Sequence, residues 1–251
     1  MGSPISGGWK ARVLVCVLAA GSSSRMGFPK LLAAFSGPDG AGTCLLTRAC
    51  RAALDSRATQ VAVVAGAYAS EMAPVLEELR GRFKKSRQNI EGAGPADSAS
   101  ARMPRLVELR NDAWSQGQAS SVRLAARYAC GNDFDAIIFM AADQPFVEAE
   151  HLDALIAAFE QMQGTEATNA APAPFALRSR CGTRQGNPCL FPRETLPLFE
   201  TLSGDEGARQ LFRSGTLTPI PVDVPCTPGT DPFCDLDTPE EFEHFKATRN
   251  M

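Results

Sequence analysis

The stretch VLVCVLAAGSSSRMGFPK, Val13 to Lys30, decides the fold of this chain. Val13 through Leu18 are apolar without alternation, the pattern of a strand buried on both faces of a parallel sheet. The strand stops at Gly21 and the serine run Ser22, Ser23 and Ser24, whose small side chains let a ligand meet backbone N–H groups and hydroxyls. Arg25 and Lys30 add two positive charges to the same loop, and Gly27 allows a further bend before Leu31 and Leu32. A polyphosphate suits such a loop. The pattern is neither GxxxxGK[ST] nor GxGxxG. The same residues also suit a plain strand-to-helix turn in which glycine and serines cap the next element and both cations are solvated. The loop alone leaves the two readings open.

Working outward, 251 residues with 44% hydrophobic content are enough for one large α/β domain. We expect a single domain over 12–248, with disorder over 1–11 and a surface insertion at 84–104, where KKSRQNIEGAGPADSASARMP lacks any hydrophobic period. A net charge of −3 offers no general attraction to nucleic acid or anionic membrane, so any basic site must be local. No apolar run approaches ~20 residues, and the N-terminus lacks a signal-peptide core, so a cytoplasmic location is expected. Eight cysteines occur without a CxxC pair and with only two histidines, which excludes the usual zinc and thioredoxin motifs. The cysteines read as reduced thiols. His151 and His244 read as solvated helix positions, which argues against a histidine-based hydrolase.

Beyond the loop, apolar spacing predicts a helix over Cys44 to Arg57, a strand over Gln60 to Gly66 and a helix over Glu71 to Phe83. Strands follow at Leu106 to Arg110 and Asp135 to Ala142, with a helix between them through Cys130 and another from Glu148 to Gln163. Gly182 to Phe191 reads as a tight turn leading into an apolar strand. Thr218 to Val224, with two prolines, belongs at a sheet edge, and Thr238 with Pro239 starts a last helix. The alternation predicts an α/β fold, Rossmann-like, with a mostly parallel central sheet and helices on both faces.

In such sheets ligands sit at the carboxyl ends of the strands, and three strand ends here are polar: Ala20 to Lys30, Asn111 to Ser121, and Asp143 to Pro145. Asp143 ends a buried strand on a rigid base and is a candidate for the hard-oxygen ligation that Mg²⁺ prefers; a turn or N-cap aspartate is the other reading. Asp237 is either a second carboxylate for that ion or part of a plain helix start. With Lys30, Arg25 and two aspartates, the simplest reaction is nucleotidyl transfer, and a phosphate nucleophile would need no histidine base.

Six segments in order carry a resemblance: LAAGSSSRMGFPK (Leu18 to Lys30), NDAWSQGQASSV (Asn111 to Val122), ADQP (Ala142 to Pro145), GNPCLF (Gly186 to Phe191), GDEGAR (Gly204 to Arg209) and DLDTPEE (Asp235 to Glu241). Together the sequence resembles the MobA-like nucleotidyltransferases, and among them the MocA-type molybdenum cofactor cytidylyltransferases. The resemblance implies Mg²⁺-dependent transfer of CMP from CTP to the terminal phosphate of molybdopterin, with release of pyrophosphate and possible delivery of the product to an apo-molybdoenzyme. It implies a nucleotide site of Leu18, Ala19, Ala20, Gly21, Ser22, Ser23, Arg25, Lys30, Ser120 and Ser121. Lys30, Arg25 and Asp143 would be catalytic, with Asp143 and Asp237 on the metal. Gly186, Asn187, Pro188, Gly204, Asp205, Gly207 and Arg209 would face the acceptor. Ala20 matches the cytidylyl type, where guanylyl relatives carry glycine. Alternatives kept open are GTP or another phosphorylated acceptor, and a non-catalytic nucleotide-binding cofactor chaperone. Glu241 departs from the family's DTPED.

Overall fold

The computed structural model describes residues 9–36, 42–90, 105–164, 173–228 and 230–249. Of the disorder expected over 1–11 and the surface insertion expected over 84–104, residues 1–8 and 91–104 lie outside the described residues.

Strand β1 (Val13–Ala19) is followed by a small antiparallel pair that the sequence reading did not include, β2 (Phe35–Ser36) with β3 (Gly42–Thr43). Helix α1 (Leu45–Asp55), β4 (Gln60–Ala65), α2 (Ala69–Ile90), β5 (Leu106–Arg110), α3 (Gln118–Gly131), β6 (Ala136–Ala141) and α4 (Ala149–Gly164) complete the first part. Next come β7 (Phe175–Cys181), β8 (Arg184–Pro192), a 3₁₀ segment Arg193–Thr201, α5 (Arg209–Arg213), β9 (Thr218–Asp223) and α6 (Pro239–Arg249). The backbone of α2 continues to Ile90, past the helix end expected at Phe83.

The strands form one seven-stranded sheet in the order β5-β4-β1-β6-β8-β7-β9. β5, β4, β1 and β6 are mutually parallel, β8 runs antiparallel to both neighbours, and β9 pairs parallel with β7 at the edge. Alternate residues of β1 feed two cores. Val13, Val15 and Val17 pack with the α1, α2 and α4 side, while Leu14 and Cys16 pack with α3 and the 3₁₀ segment. All five are fully buried, which is why the run shows no polar alternation. Burying each of its valines and leucines contributes roughly 1.5–3 kcal/mol.

The chain moves from β1 outward to β4 and β5, then crosses back to place β6 on the other side of β1. The order reverses between β1 and β6, and a crevice opens at their carboxyl ends. The Gly21 loop and Asp143 leave the sheet at that point.

Three sequence expectations are corrected here. Gly186, Asn187 and Pro188 lie inside β8, not in a turn before it. The register shifts between Arg178 and Ser179, so Ser179 faces Gly186 and Arg178 faces Cys189, and the two residues between are bulged out. The Asn187–Pro188 peptide is cis. The cysteines are not all reduced thiols: parallel pairing of β7 and β9 brings Cys181 and Cys226, 45 residues apart in sequence, into a disulfide. His151 is also not solvated. It is buried in the first turn of α4, where Nδ1 accepts a hydrogen bond from the Glu148 backbone N–H at 3.0 Å.

Candidate active site

Lys30 is held in the loop after β1 by its neighbours Met26 and Leu31, which are buried in the core. This packing carries the lysine inward until only 8% of the residue is exposed. Its Nζ donates to Asp143 Oδ2 at 2.7 Å, to the Leu236 carbonyl at 2.7 Å and to Asp237 Oδ1 at 3.3 Å. An ammonium has three N–H donors, and each has an acceptor. Arg25, largely exposed, donates from Nη1 to the other Asp237 oxygen at 3.2 Å.

Asp143 stands just beyond β6, and its own carbonyl accepts from the Leu236 N–H at 3.1 Å. The distant segment 235–237 is thereby fastened to the strand end by backbone and side chain together. Asp235 sits beside the pair; desolvation, with the negative Asp143 and Asp237 nearby, raises its pKa, against a hydrogen bond from Gln144. The Gln144 Oε1 is buried without a partner among the described residues.

The second wall is the start of α3. Asn111, buried, donates from Nδ2 to Ser120 Oγ at 2.8 Å and to Ser121 Oγ at 2.9 Å, while its Oδ1 accepts from the Ala113 N–H. Gly117, at φ +95°, caps the helix where a Cβ would come within 2.5 Å of the Gly204 backbone. Ala119 N–H donates to the Gly204 carbonyl, so the 204–209 loop is docked on the helix start.

Two cavities meet in this crevice. The first, about 580 Å³, is lined by the loop from Leu18 to Met26, by Lys30, by Trp114, Gly117, Gln118 and Ser121, and by Asp205. The second, about 400 Å³, is lined by Gly186, Asn187 and Arg209, by Arg178, Arg184 and Phe233, and by Gln144 and Asp235. Asp143 and Asp237 line both. Gly186 is needed bare: a Cβ there would meet the Phe233 ring at 2.7 Å.

Most of the expected site residues come together, with informative exceptions. Leu18, Ala19, Ala20, Gly21, Ser22, Ser23, Arg25, Lys30 and Ser121 line the first cavity, but Ser120 does not. Its hydroxyl donates to the Gly117 carbonyl at 2.8 Å and accepts from Asn111, so it braces the wall. Asp205, expected with the acceptor group, lines the first cavity, and Gly204 packs on Gly117. Pro188 and Gly207 line neither: Pro188 is buried with its carbonyl bonded to Ser179 Oγ, and Gly207 backs onto Gln118. Trp114, Gln118, Gln144, Arg178, Arg184 and Phe233 line the cavities without having been singled out from sequence. Trp114 and Gln118 lie in the quoted segment Asn111 to Val122 and Gln144 in Ala142 to Pro145, whereas Arg178, Arg184 and Phe233 carried no signal.

The donor set at the junction is all oxygen, which suits a hard dication. Among the described residues no three His, Cys, Asp or Glu side chains gather to hold a metal by themselves. Mg²⁺ needs no such cage, since one or two carboxylates usually share it with substrate phosphates and water. Asp143 and Asp237 therefore fit the ion.

Residues 15–219 match the MobA-like NTP transferase domain family. The chain belongs to that family. It is similar to the purine catabolism protein PucB of Bacillus subtilis (strain 168), 31% identical over 227 residues that span 90% of this chain and 92% of PucB. Among solved structures, a homologue from Mycobacterium sp. strain JC1 of the Mycobacterium tuberculosis protein Rv0371c superposes with a TM-score of 0.63 at 23% identity, covering 96% of this chain and 98% of that one. A manganese complex of Rv0371c from M. tuberculosis H37Rv gives 0.58 at 21% identity, covering 94% and 99%. These structures share the fold. As a MobA-like NTP transferase, the chain is a nucleotidyltransferase, and its junction of cation and carboxylates lies where that fold opens its crevice. No helix among the described residues is long and apolar enough to cross a membrane.

Proposed function

We propose that this MobA-like protein transfers CMP from CTP to the terminal phosphate of molybdopterin, using Mg²⁺, and forms molybdopterin cytosine dinucleotide and pyrophosphate. The observation that carries the reading is the shared edge of the two cavities: Asp143 and Asp237 line both, so one group of side chains can serve donor and acceptor at once. The first cavity, with its serine loop and cations, takes the nucleoside triphosphate. Ala20 on its wall is the residue that the cytidylyl type carries. The second cavity, with arginines and Phe233, takes the acceptor.

Asp143 and Asp237 would hold Mg²⁺, whose chemistry there is to neutralise charge on the triphosphate. Lys30 and Arg25 exchange carboxylate partners for phosphate oxygens and stabilise the negative charge on the α-phosphoryl oxygens and the departing pyrophosphate. An oxygen of the acceptor phosphate forms the new bond to that phosphorus, the α–β bridging bond breaks, and pyrophosphate leaves with the electron pair. A phosphate monoester is largely ionised at pH 7 and needs no base. The positions of the histidines agree, since His151 is tied to the start of α4 and His244 is exposed on α6.

The receiving partner is expected among apo-molybdoenzymes, and the description of PucB as a purine catabolism protein directs the search to enzymes of that process. The test is a panel of phosphorylated acceptors with CTP and Mg²⁺, scored by pyrophosphate release. Molybdopterin should be the best acceptor and EDTA should stop the reaction. Equal turnover with a sugar phosphate, or none with molybdopterin, would reject the assignment.

A further inference from the structure

The second cavity holds three arginines in different circumstances. Arg184 is already ion-paired to Asp231. Arg178, on β7, touches only the Gln185 carbonyl, at a long 3.4 Å, and lies with its guanidinium carbon 5.7 Å over the Phe212 ring. The Arg209 guanidinium makes no hydrogen bond or ion pair with any described residue; only its backbone N–H is engaged, by the Glu206 carbonyl. Phe212 lies three residues after Arg209 on α5, so stacking on Phe212 brings Arg178 to the same face as Arg209.

Arginines elsewhere on the surface are matched: Arg180 with Asp223, Arg127 with Glu200, Arg57 with Glu160, Arg193 with Asp133. Three of the four acids that line the cavity are ion-paired, Glu206 with Arg213, Asp143 with Lys30, and Asp237 with Lys30 and Arg25, while Asp235 is hydrogen-bonded to Gln144. Two neighbouring cations without a counter-charge repel each other unless an anion joins them, and guanidinium forks match phosphate oxygens bidentately.

We propose that Arg178 and Arg209 form a two-arginine clamp for the phosphate of a phosphomonoester acceptor, with Phe212 holding Arg178 in orientation. The inference rests on the reading of the second cavity as the acceptor's and adds which side chains select the acceptor class. Neutral hydroxyl acceptors would leave both cations unpaired and are disfavoured.

Phenyl phosphate serves as the probe, titrated into the full chain with the first cavity filled by α,β-methylene CTP and Mg²⁺ and followed by phosphorus NMR. Arg178→Ala and Arg209→Ala should each weaken phenyl phosphate binding at least tenfold, the usual scale of a lost charge-assisted hydrogen bond. Arg184→Ala should change it less than threefold, Arg178→Lys should recover part of the loss, and affinity for the CTP analogue should stay within twofold throughout, which a merely structural role would not allow. Equal phenyl phosphate affinity in wild type and both alanine variants would overturn the clamp, as would absence of binding to the wild type. Failure of molybdopterin as an acceptor for the wild-type enzyme would instead count against the proposed function and leave this titration standing.

Discussion

Lys30 is the residue on which the two halves of the crevice converge, because its three donors reach a strand end, a backbone carbonyl and a carboxylate more than 200 positions away in sequence. Replacing it by alanine removes a positioned cation from the reacting phosphates. We expect Lys30→Ala and Asp143→Asn each to lower kcat by about 10²–10³-fold, the scale for losing one preorganised charge-stabilising group, as read by pyrophosphate release at saturating CTP. Retention of more than half the wild-type kcat in either variant would refute their placement. Gly186→Ala tests the other cavity: with a Cβ 2.7 Å from the Phe233 ring, the ring must move. The expected result is an acceptor KM raised about tenfold, about 1.4 kcal/mol, with the CTP KM unchanged. The sequence singled out Lys30 in the loop after one apolar run and Asp143 at the end of another, each with a plainer reading beside it, and the structure brings the two side chains to 2.7 Å. Ser120 and Ser121 were not separable, since Asn111 donates to both hydroxyls and only the bond from Ser120 Oγ to the Gly117 carbonyl sets the first apart as a brace.

At the scale of elements, α6 shows how a local rule supports the site. Thr238 Oγ1 accepts from the Glu241 N–H at 3.2 Å, and Glu241 Oε2 accepts from the N–H groups of Asp237 and Thr238 at 2.8 and 2.9 Å. This reciprocal cap fixes the backbone of Asp237 itself. Thr238→Ala should cost about 1 kcal/mol of stability, seen as a lower midpoint in urea. The two backbone N–H groups hold Glu241 below its ordinary pKa of 4.5. A carboxylate depressed in the fold contributes stability above its unfolded pKa and loses it as pH falls through the folded value. Glu241→Gln should therefore lower Tm at pH 7 and flatten the fall in Tm below about pH 4.5 relative to wild type; parallel Tm profiles would contradict the cap. The glutamate that departs from DTPED thus still fills the capping position. Strands β1, β4 and β6 were readable because both faces are buried and the apolar run is unbroken, whereas β5, LVELR at the sheet edge with only Leu106 buried, was readable from its short alternation of apolar and charged residues. β8 was misread at its start, since glycine and proline signal a turn and only pairing with β7 across a bulge reveals a strand. The end of α2 was missed because the polar residues after Phe83 carry no hydrophobic period, although helix formation does not require one.

For the molecule as a whole, the reversal of strand order between β1 and β6 sets the crevice, and the β7–β8–β9 part of the sheet builds the second cavity against it. The fold class followed from the alternation of elements, whereas the Cys181–Cys226 bridge could not, because only the parallel pairing of β7 with β9 brings the two together. That bridge closes a long loop that contains Arg184 and Gly186 and begins at the end of the strand that carries Arg178. Cys181→Ser should lower unfolding free energy by about 2–4 kcal/mol, measured by urea denaturation without reductant; coincident curves for variant and wild type would show that the bridge does not contribute. The central claim is that one crevice joins a cytidine nucleotide to a phosphorylated acceptor. Its most direct measurement is a single incubation of the enzyme with equimolar CTP and GTP, Mg²⁺ and molybdopterin, with the products identified by mass spectrometry and pyrophosphate quantified. The account predicts molybdopterin cytosine dinucleotide as the dominant product, with one pyrophosphate per dinucleotide; a guanine dinucleotide in its place, or nucleotide binding with no dinucleotide and no pyrophosphate, would contradict it.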